Sequence, residues 1–241
     1  MDKTARSFYL AEGQKDVEIR QYMSLDNLIA QLATGNYYVK KKKRFEDANE
    51  ASMPMHLYFL PTVANKPPCD ADWQRIDGQR KKFDTYKSLS EHYVSCWTKE
   101  NKENILMWKC YAPDHGVCIK STINNFIASF DFEAFNRYKT YCAPITYKKF
   151  DYTDGPFDAL FMKDPVYESE SEIRFVFIPK DIDPNVESRR ENILLPVDHK
   201  VMIDEVILSP YLSKDTAKVL KSYIEKELEC KVTHSKIKLN K

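Results

Sequence analysis

Glu168, Glu170 and Glu172 alternate with Ser169 and Ser171 and run into Ile173-Arg174-Phe175-Val176-Phe177, an apolar, β-favouring tail. Read as the entry to a buried strand, this spacing puts all three carboxylates on one face, because strand side chains alternate with period two. Like charges on one face are unfavourable unless a cation, a ligand or a proton relieves them. The segment is therefore the strongest pointer to a site in the chain. The plainer reading is an edge strand with a solvated acidic face.

Two further residues could join that chemistry. Arg20 stands between Ile19 and Tyr22 in a stretch, Val17 to Tyr22, that alternates like a half-buried strand. A planar guanidinium there needs an anionic partner and suits a carboxylate or a phosphate. Ser95, in Val94-Ser95-Cys96-Trp97, offers a small hydroxyl at the end of an aromatic-rich strand, where it can hold a carboxylate by a hydrogen bond. The basic run Lys40-Lys41-Lys42-Lys43-Arg44 could grip a nucleic-acid backbone, with Lys41, Lys42, Lys43 and Arg44 as contacts, or be a solvated loop. Trp108 and Tyr111 lie three apart and share a helix face, so they could wall a pocket or be plain aromatic core. Cys110, His115 and Cys118, with His92 or Cys96 upstream, do not repeat a recognised zinc-ligand spacing, and no metal is assigned.

The elements that must position these residues can be read from caps and periodicity. Ser24 caps a helix carrying Leu25, Leu28, Ile29 and Leu32, stopped by Gly35, and a short strand follows at Tyr37 to Val39. Trp73 to Leu89 reads as a charged helix, His92 to Trp97 as a strand, Asn104 to Tyr111 as a helix and Val117 to Ser121 as a strand. A short helix is expected within Ile123 to Tyr138 and a strand over Pro144 to Phe150. The chain closes with a strand at Val206 to Leu208, a helix capped by Ser213, and a last strand over Val232 to Ile237. No repeat and no linker divides residues 1–241, which reads as a single α+β domain.

Composition narrows the function classes. With 241 residues, 43% hydrophobic and 13% aromatic, the chain can bury a sizeable core and is not a disordered one. The net charge of +1 commits it to neither nucleic acid nor membrane. Five glycines leave no material for a Gly-rich phosphate loop. Six cysteines without framework spacing, and no signal peptide, read as reduced thiols in a cytoplasmic protein, and no apolar run is long enough to span a bilayer.

The order of an arginine, a serine near an aromatic, and Glu-x-Glu resembles the arginine–serine–glutamate class of ADP-ribosyltransferases. That resemblance implies a pair of packed, split β-sheets with surrounding helices and with NAD, as substrate, in the cleft between them. It implies that Arg20, Tyr22, Ser95, Trp108 and Tyr111 contact NAD, with Ser95 orienting the key glutamate. Glu172 would be the catalytic carboxylate and Glu170 the acceptor-directing one. The transfer would be to a macromolecule, protein or nucleic acid, as in a toxin or antiphage effector with a possible antitoxin or inhibitor partner. Glu172→Gln is then expected to abolish activity and leave folding nearly intact. The usual Ser-Thr-Ser-like triplet is Ser95-Cys96-Trp97 here. The chain is also similar to a widespread bacterial domain-of-unknown-function family found near defence genes and mobile elements. The similarity lies in Arg20-Gln21-Tyr22, Phe45 to Glu50, Ser95-Cys96-Trp97, Met107 to Tyr111 with His115 to Ile119, and Tyr167 with Glu170, Glu172 and Arg174. That family often has tryptophan at the place of Tyr167 and Asn-Asp-Pro at the place of Glu46-Asp47-Ala48. Two other classes stay open: a metal-dependent nuclease or phosphodiesterase, with Asp47, Glu50, Glu170 and Glu172 around Mg²⁺ and Lys43 nearby, and a non-enzymatic binding module.

Overall fold

A computed structural model describes residues 8–10, 17–41, 77–78, 92–149, 158–180 and 190–239 of the chain. Strand β1 (Phe8–Leu10) is followed by β2 (Glu18–Ser24), whose last residue caps helix α1 (Leu25–Thr34). The Ser24 side chain accepts the Asn27 N–H, and Gly35 closes the helix in the left-handed region at φ 64°. Then come β3 (Asn36–Lys41), β4 (Tyr93–Thr98), α2 (Ile105–Tyr111) and β5 (Gly116–Thr122). Two short helices, α3 (Ile123–Ala128) and α4 (Phe132–Phe135), lead to β6 (Tyr138–Pro144). A small parallel ribbon pairs β7 (Thr146–Tyr147) with β8 (Met162–Lys163). The chain finishes with β9 (Glu172–Pro179), β10 (Asn192–Pro196), α5 (His199–Met202), β11 (Glu205–Leu208), α6 (Lys214–Leu228) and β12 (Lys231–His234).

These elements form an α+β fold around a mixed sheet ordered β1-β6-β9-β4-β2-β5-β11-β12, parallel at its two edges and antiparallel between them. The sheet forks at β4. One end of that strand pairs with β2 through Arg20 and Thr98; the other pairs with β3 through Lys40–Lys41 and Val94–Tyr93, and β3 carries β10. The main core lies on one face, where Ile19, Trp97, Ile119, Ile173, Phe175 and Phe177 meet the helix residues Leu28, Phe126 and Ile224. The opposite face carries two smaller clusters. Tyr22, Cys118 and Ile207 lie under Trp108 and Ala112, while Val94 and Val176 lie under Ala159 and Leu160. A strip of charged side chains runs between those clusters, and the candidate site is there.

Several sequence expectations need correction. Glu168, Glu170 and Glu172 do not share one strand: Pro165–Glu170 is a 3-10 helix, and β9 starts only at Glu172. Pro165 has its φ preset for a first helical turn and Asp164 caps it through Val166 N–H, so local helix chemistry overrides the β pattern. The expected strand over Pro144 to Phe150 shortens to Thr146–Tyr147 among the described residues, and the terminal strand stops at His234. The stretch from Ile123 to Tyr138 holds two helices, not one. Strands β6 and β10 were not anticipated, and the charged helix expected over Trp73 to Leu89 lies almost wholly outside the described residues.

Candidate active site

The charged strip is organised by register. Lys231, Glu205, Lys120, Arg20, Thr98 and Glu172 are successive cross-strand partners on β12, β11, β5, β2, β4 and β9. Directly paired residues project from the same face, so all six side chains share one row. Arg20 and Glu172 sit two strand spacings apart, about 10 Å, with the Thr98 hydroxyl-bearing side chain between them.

Glu172 is 4% exposed and Arg174 is fully buried. Arg174 Nε donates to Glu172 Oε1 at 2.7 Å, and its Nη1 donates to the Leu160 carbonyl at 2.8 Å. Lys163 reaches across from β8, with Nζ 2.7 Å from Glu170 Oε2 and 3.5 Å from Glu172 Oε2, and 4.5 Å from the Tyr167 ring centre. Tyr111, at the end of α2, donates its hydroxyl to Glu170 Oε1 at 2.8 Å. Ser171, at φ 45°, is left-handed. This turn lets two carboxylates from different elements, a 3-10 helix and a strand, meet one ammonium.

The backbone around that turn is pinned from three sides. Tyr147 Oη accepts the Glu172 N–H at 2.6 Å, and the Glu172 carbonyl accepts the Ile145 N–H at 2.9 Å. Lys99 N–H donates to the Ser171 carbonyl, and Ser171 Oγ donates to Glu100 Oε1 at 3.3 Å. Asn104 caps α2 through Leu106 N–H and donates its amide to the Ser169 carbonyl at 2.8 Å. Helix α2 can lie this close to β5 because Gly116 has no side chain: a Cβ there would stand 2.3 Å from that of Ala112.

The electrostatics follow from these contacts. Burial would raise the Glu172 carboxyl, but the Arg174 charge and hydrogen bond, then Lys163 and the Cys96 thiol, outweigh it and hold the group below its ordinary value of 4.5. Its contribution to stability is therefore complete above that value and is lost as pH falls through the lower native one. Tyr111 is pushed well above the usual phenol range, first by burial and then by the neighbouring Glu170 charge. Tyr147 is raised to about 12, chiefly by burial. Both phenols stay protonated at neutral pH, so Tyr111 serves as a donor.

Arg20 is 6% exposed. Its Nε and Nη2 donate to Glu18 Oε1 at 3.1 and 2.9 Å, and Nη2 also donates to the Asn101 carbonyl at 2.7 Å. Nη1 has no hydrogen-bond partner among the described residues. Beside it, Glu100 to Ile105 line a shallow depression of about 490 Å³.

Other expected site residues sit elsewhere. Ser95 pairs with Phe175, so it points into the main core, away from Glu172. There it shares a hydrogen bond with the Tyr37 hydroxyl at 2.6 Å and accepts Trp97 Nε1 at 2.9 Å. The hydroxyl beside Glu172 belongs to Thr98, three residues later and hence on the opposite face. Trp108 is fully buried edge-on against Tyr22, and its Nε1 donates to Glu103, whereas Tyr111 is 45% exposed; the two do not wall one pocket. The Tyr22 hydroxyl accepts the Asn104 N–H at 3.1 Å. Lys41 is fully buried with its ammonium 5.7 Å from the centre of the Tyr93 ring, so it cannot meet a phosphate backbone. Lys42, Lys43, Arg44, Asp47 and Glu50 lie outside the described residues. Among the described residues no group of three His, Cys, Asp or Glu side chains could hold a metal, and no helix is long and apolar enough to cross a membrane.

Thr98, Lys163 and Tyr147 were not singled out from the sequence. Thr98 was within reach, since strand parity with the inward Trp97 turns it outward. Lys163 and Tyr147 carry no such signal, because they arrive through the β7–β8 ribbon.

No protein-family model matches the chain, and no curated protein matches it. Among solved structures, Thermus sp. 2.9 DarT in complex with NAD⁺ aligns with 9% identity and a TM-score of 0.40, covering 92% of this chain and 96% of that one. The same protein in complex with carba-NAD⁺ aligns with 8% identity and a TM-score of 0.39 over 92% and 96% of the two chains. Its complex with ADP-ribosylated single-stranded DNA gives 8% identity and a TM-score of 0.40 over 96% and 98%.

Proposed function

We propose that this chain is an NAD-dependent ADP-ribosyltransferase acting on a macromolecular acceptor, with Glu172 and Glu170 as its catalytic carboxylates. The observation that carries this reading is the row Arg20, Thr98, Glu172: a cation, a hydroxyl and a carboxylate on adjacent strands and one face. These are the residue types that the sequence resemblance calls for, with Thr98 taking the part expected of Ser95.

Cleavage of NAD breaks the bond between the ribose C1′ and the nicotinamide nitrogen. The electron pair leaves with nicotinamide and positive charge builds on the ribose. A carboxylate on a ribose hydroxyl favours that state. Glu172 Oε1 is committed to Arg174, so Oε2, 3.5 Å from Lys163, is the oxygen offered to the ribose. Arg20 Nη1 answers the pyrophosphate. Glu170, nearer the surface beside Tyr111, takes the proton from the acceptor nucleophile as its bond to C1′ forms.

The test is nicotinamide release from NAD, with single-stranded DNA and with cell protein as acceptors, for wild type, Glu172→Gln and Thr98→Val. Release that is lost in Glu172→Gln and reduced in Thr98→Val is the expected result. The earlier expectation of an unperturbed fold is revised: Glu172→Gln removes the counter-charge of a fully buried guanidinium, so urea unfolding must confirm that the variant is folded at assay temperature. No release from wild type with any acceptor would remove the transferase reading and leave the carboxylates a structural role.

A further inference from the structure

The β7–β8 ribbon stands apart from the main sheet, and its register pair Tyr147 and Lys163 both act on the Glu170–Glu172 segment. Tyr147 fixes the backbone at Glu172, while Lys163, 8% exposed, places its ammonium between the two carboxylates. Among the described residues Lys163 is the one cation in ion-pair range of Glu170, while Arg174 pairs with Glu172. Lys163 does not lie in the row that the transferase reading uses, and it carries no role there.

We propose that Lys163 is a positioning residue that keeps Glu170 and Glu172 ionised side by side, so that one can stabilise the ribose while the other accepts a proton. The catalytic half of this proposal rests on the transferase reading. The electrostatic half does not. Two carboxylates that reach the same ammonium repel each other, and without it the pair retains a shared proton to higher pH. Among the described residues no other group facing the pair brings a cation to Glu170. Tyr111 on α2 is a neutral donor to Glu170, Tyr147 on β7 meets only backbone, and the Cys96 thiol on β4 bonds Glu172. Glu100 is a further anion held by Ser171, the Tyr167 ring lies against the ammonium itself, and Arg174 is engaged by Glu172 and the Leu160 carbonyl.

The experiment compares wild type, Lys163→Gln and Lys163→Arg. Glutamine keeps a hydrogen-bond donor toward Glu170 while removing the charge, and urea unfolding checks that the variant is folded at assay temperature. Carboxyl titration is followed by ¹³C NMR of glutamate-labelled protein, with Glu170→Gln and Glu172→Gln identifying the two resonances. One resonance of the pair should titrate about one pH unit or more higher in Lys163→Gln and return in Lys163→Arg. In the NAD assay the acid limb of kcat should move up by the same interval, with KM for NAD unchanged because Lys163 touches the carboxylates and not the dinucleotide. An unshifted pair in Lys163→Gln overturns the proposal. A shifted pair in a protein that releases no nicotinamide upholds the electrostatic role and removes the transferase reading instead.

Discussion

The two faces of strands β4 and β9 treat polar groups in opposite ways. On the core face, Ser95 is buried among Tyr37, Trp97 and Phe175, and its hydroxyl is satisfied by neutral partners. On the other face, one residue along, Glu172 and Arg174 bring full charges to comparable depth beside Cys96 and Thr98. A neutral hydroxyl needs only its hydrogen bonds to be at home in a core. A buried charge needs a counter-charge, and the arrangement is costly to keep unless something beyond packing requires it. That contrast separates a residue that shapes the protein from one that the transferase reading sets against a substrate, although both are buried.

The largest test of the contrast is Arg174→Met. It leaves the Glu172 carboxylate buried with Lys163 at 3.5 Å as its nearest cation, and should cost about 3–5 kcal/mol in urea unfolding. Adding Glu172→Leu should recover much of that loss, since an apolar pair of similar volume needs no counter-charge. NAD turnover should stay absent in the recovered double variant. A double variant as unstable as the single one would mean that the pair is held for packing geometry and not for its charge, and the two faces would then differ less than their chemistry suggests.

A smaller and sharper test sets Ser95→Ala against Thr98→Val. Ser95→Ala removes the Tyr37 hydroxyl's closest partner and strands the Trp97 N–H in the core, a loss of about 1–3 kcal/mol. It should leave kcat/KM for NAD within about twofold of wild type, because the side chain is on the wrong face. Thr98→Val, nearly isosteric, should lower kcat/KM by about tenfold or more with a smaller change in unfolding midpoint. Activity that follows Ser95 and ignores Thr98 would reverse the assignment of the two faces.

This pair also shows where the sequence was legible and where it was not. Caps and breakers worked because they are local: Ser24 and Gly35 bound α1, Asn104 opens α2, and Ser213 caps α6. Arg20 and Glu172 were recognisable because charge on a strand of β-favouring residues is conspicuous. Ser95 misled for a reason of parity. The neighbouring Trp97 is one of the largest fully buried side chains, and any residue an even number of positions from it must share its face. The glutamate segment misled because Pro165 and Asp164 carry helix-start chemistry that a period-two count ignores. Lys163 was invisible because its meeting with Glu170 depends on a ribbon whose strands are only two residues long.

The smallest effect is expected farther along the same row, at Lys120. Lys120 lies between Glu18 and Glu205, at 3.1 and 3.2 Å, and resembles Lys163 between Glu170 and Glu172 in contacts alone. Its setting differs: Glu18 is 43% exposed and Lys231, the other cation on Glu205, 68% exposed, against 4% for Glu172. Water screens each of these charges and can replace the lysine when it is removed. Burial works against the Lys120 charge, but its hydrogen bonds to Glu18 and Glu205 raise its affinity for a proton overall, so the ammonium persists across the working pH range. Lys120→Met should therefore change unfolding free energy by less than about 1 kcal/mol, and the difference should shrink further in 1 M salt. It should leave the titration of the Glu170–Glu172 pair where it was, three strands away. A loss as large as that of Arg174→Met would show that the row is coupled along its length, so that Arg20, beside Lys120, takes its orientation from the whole row and not from Glu18 and Asn101 alone.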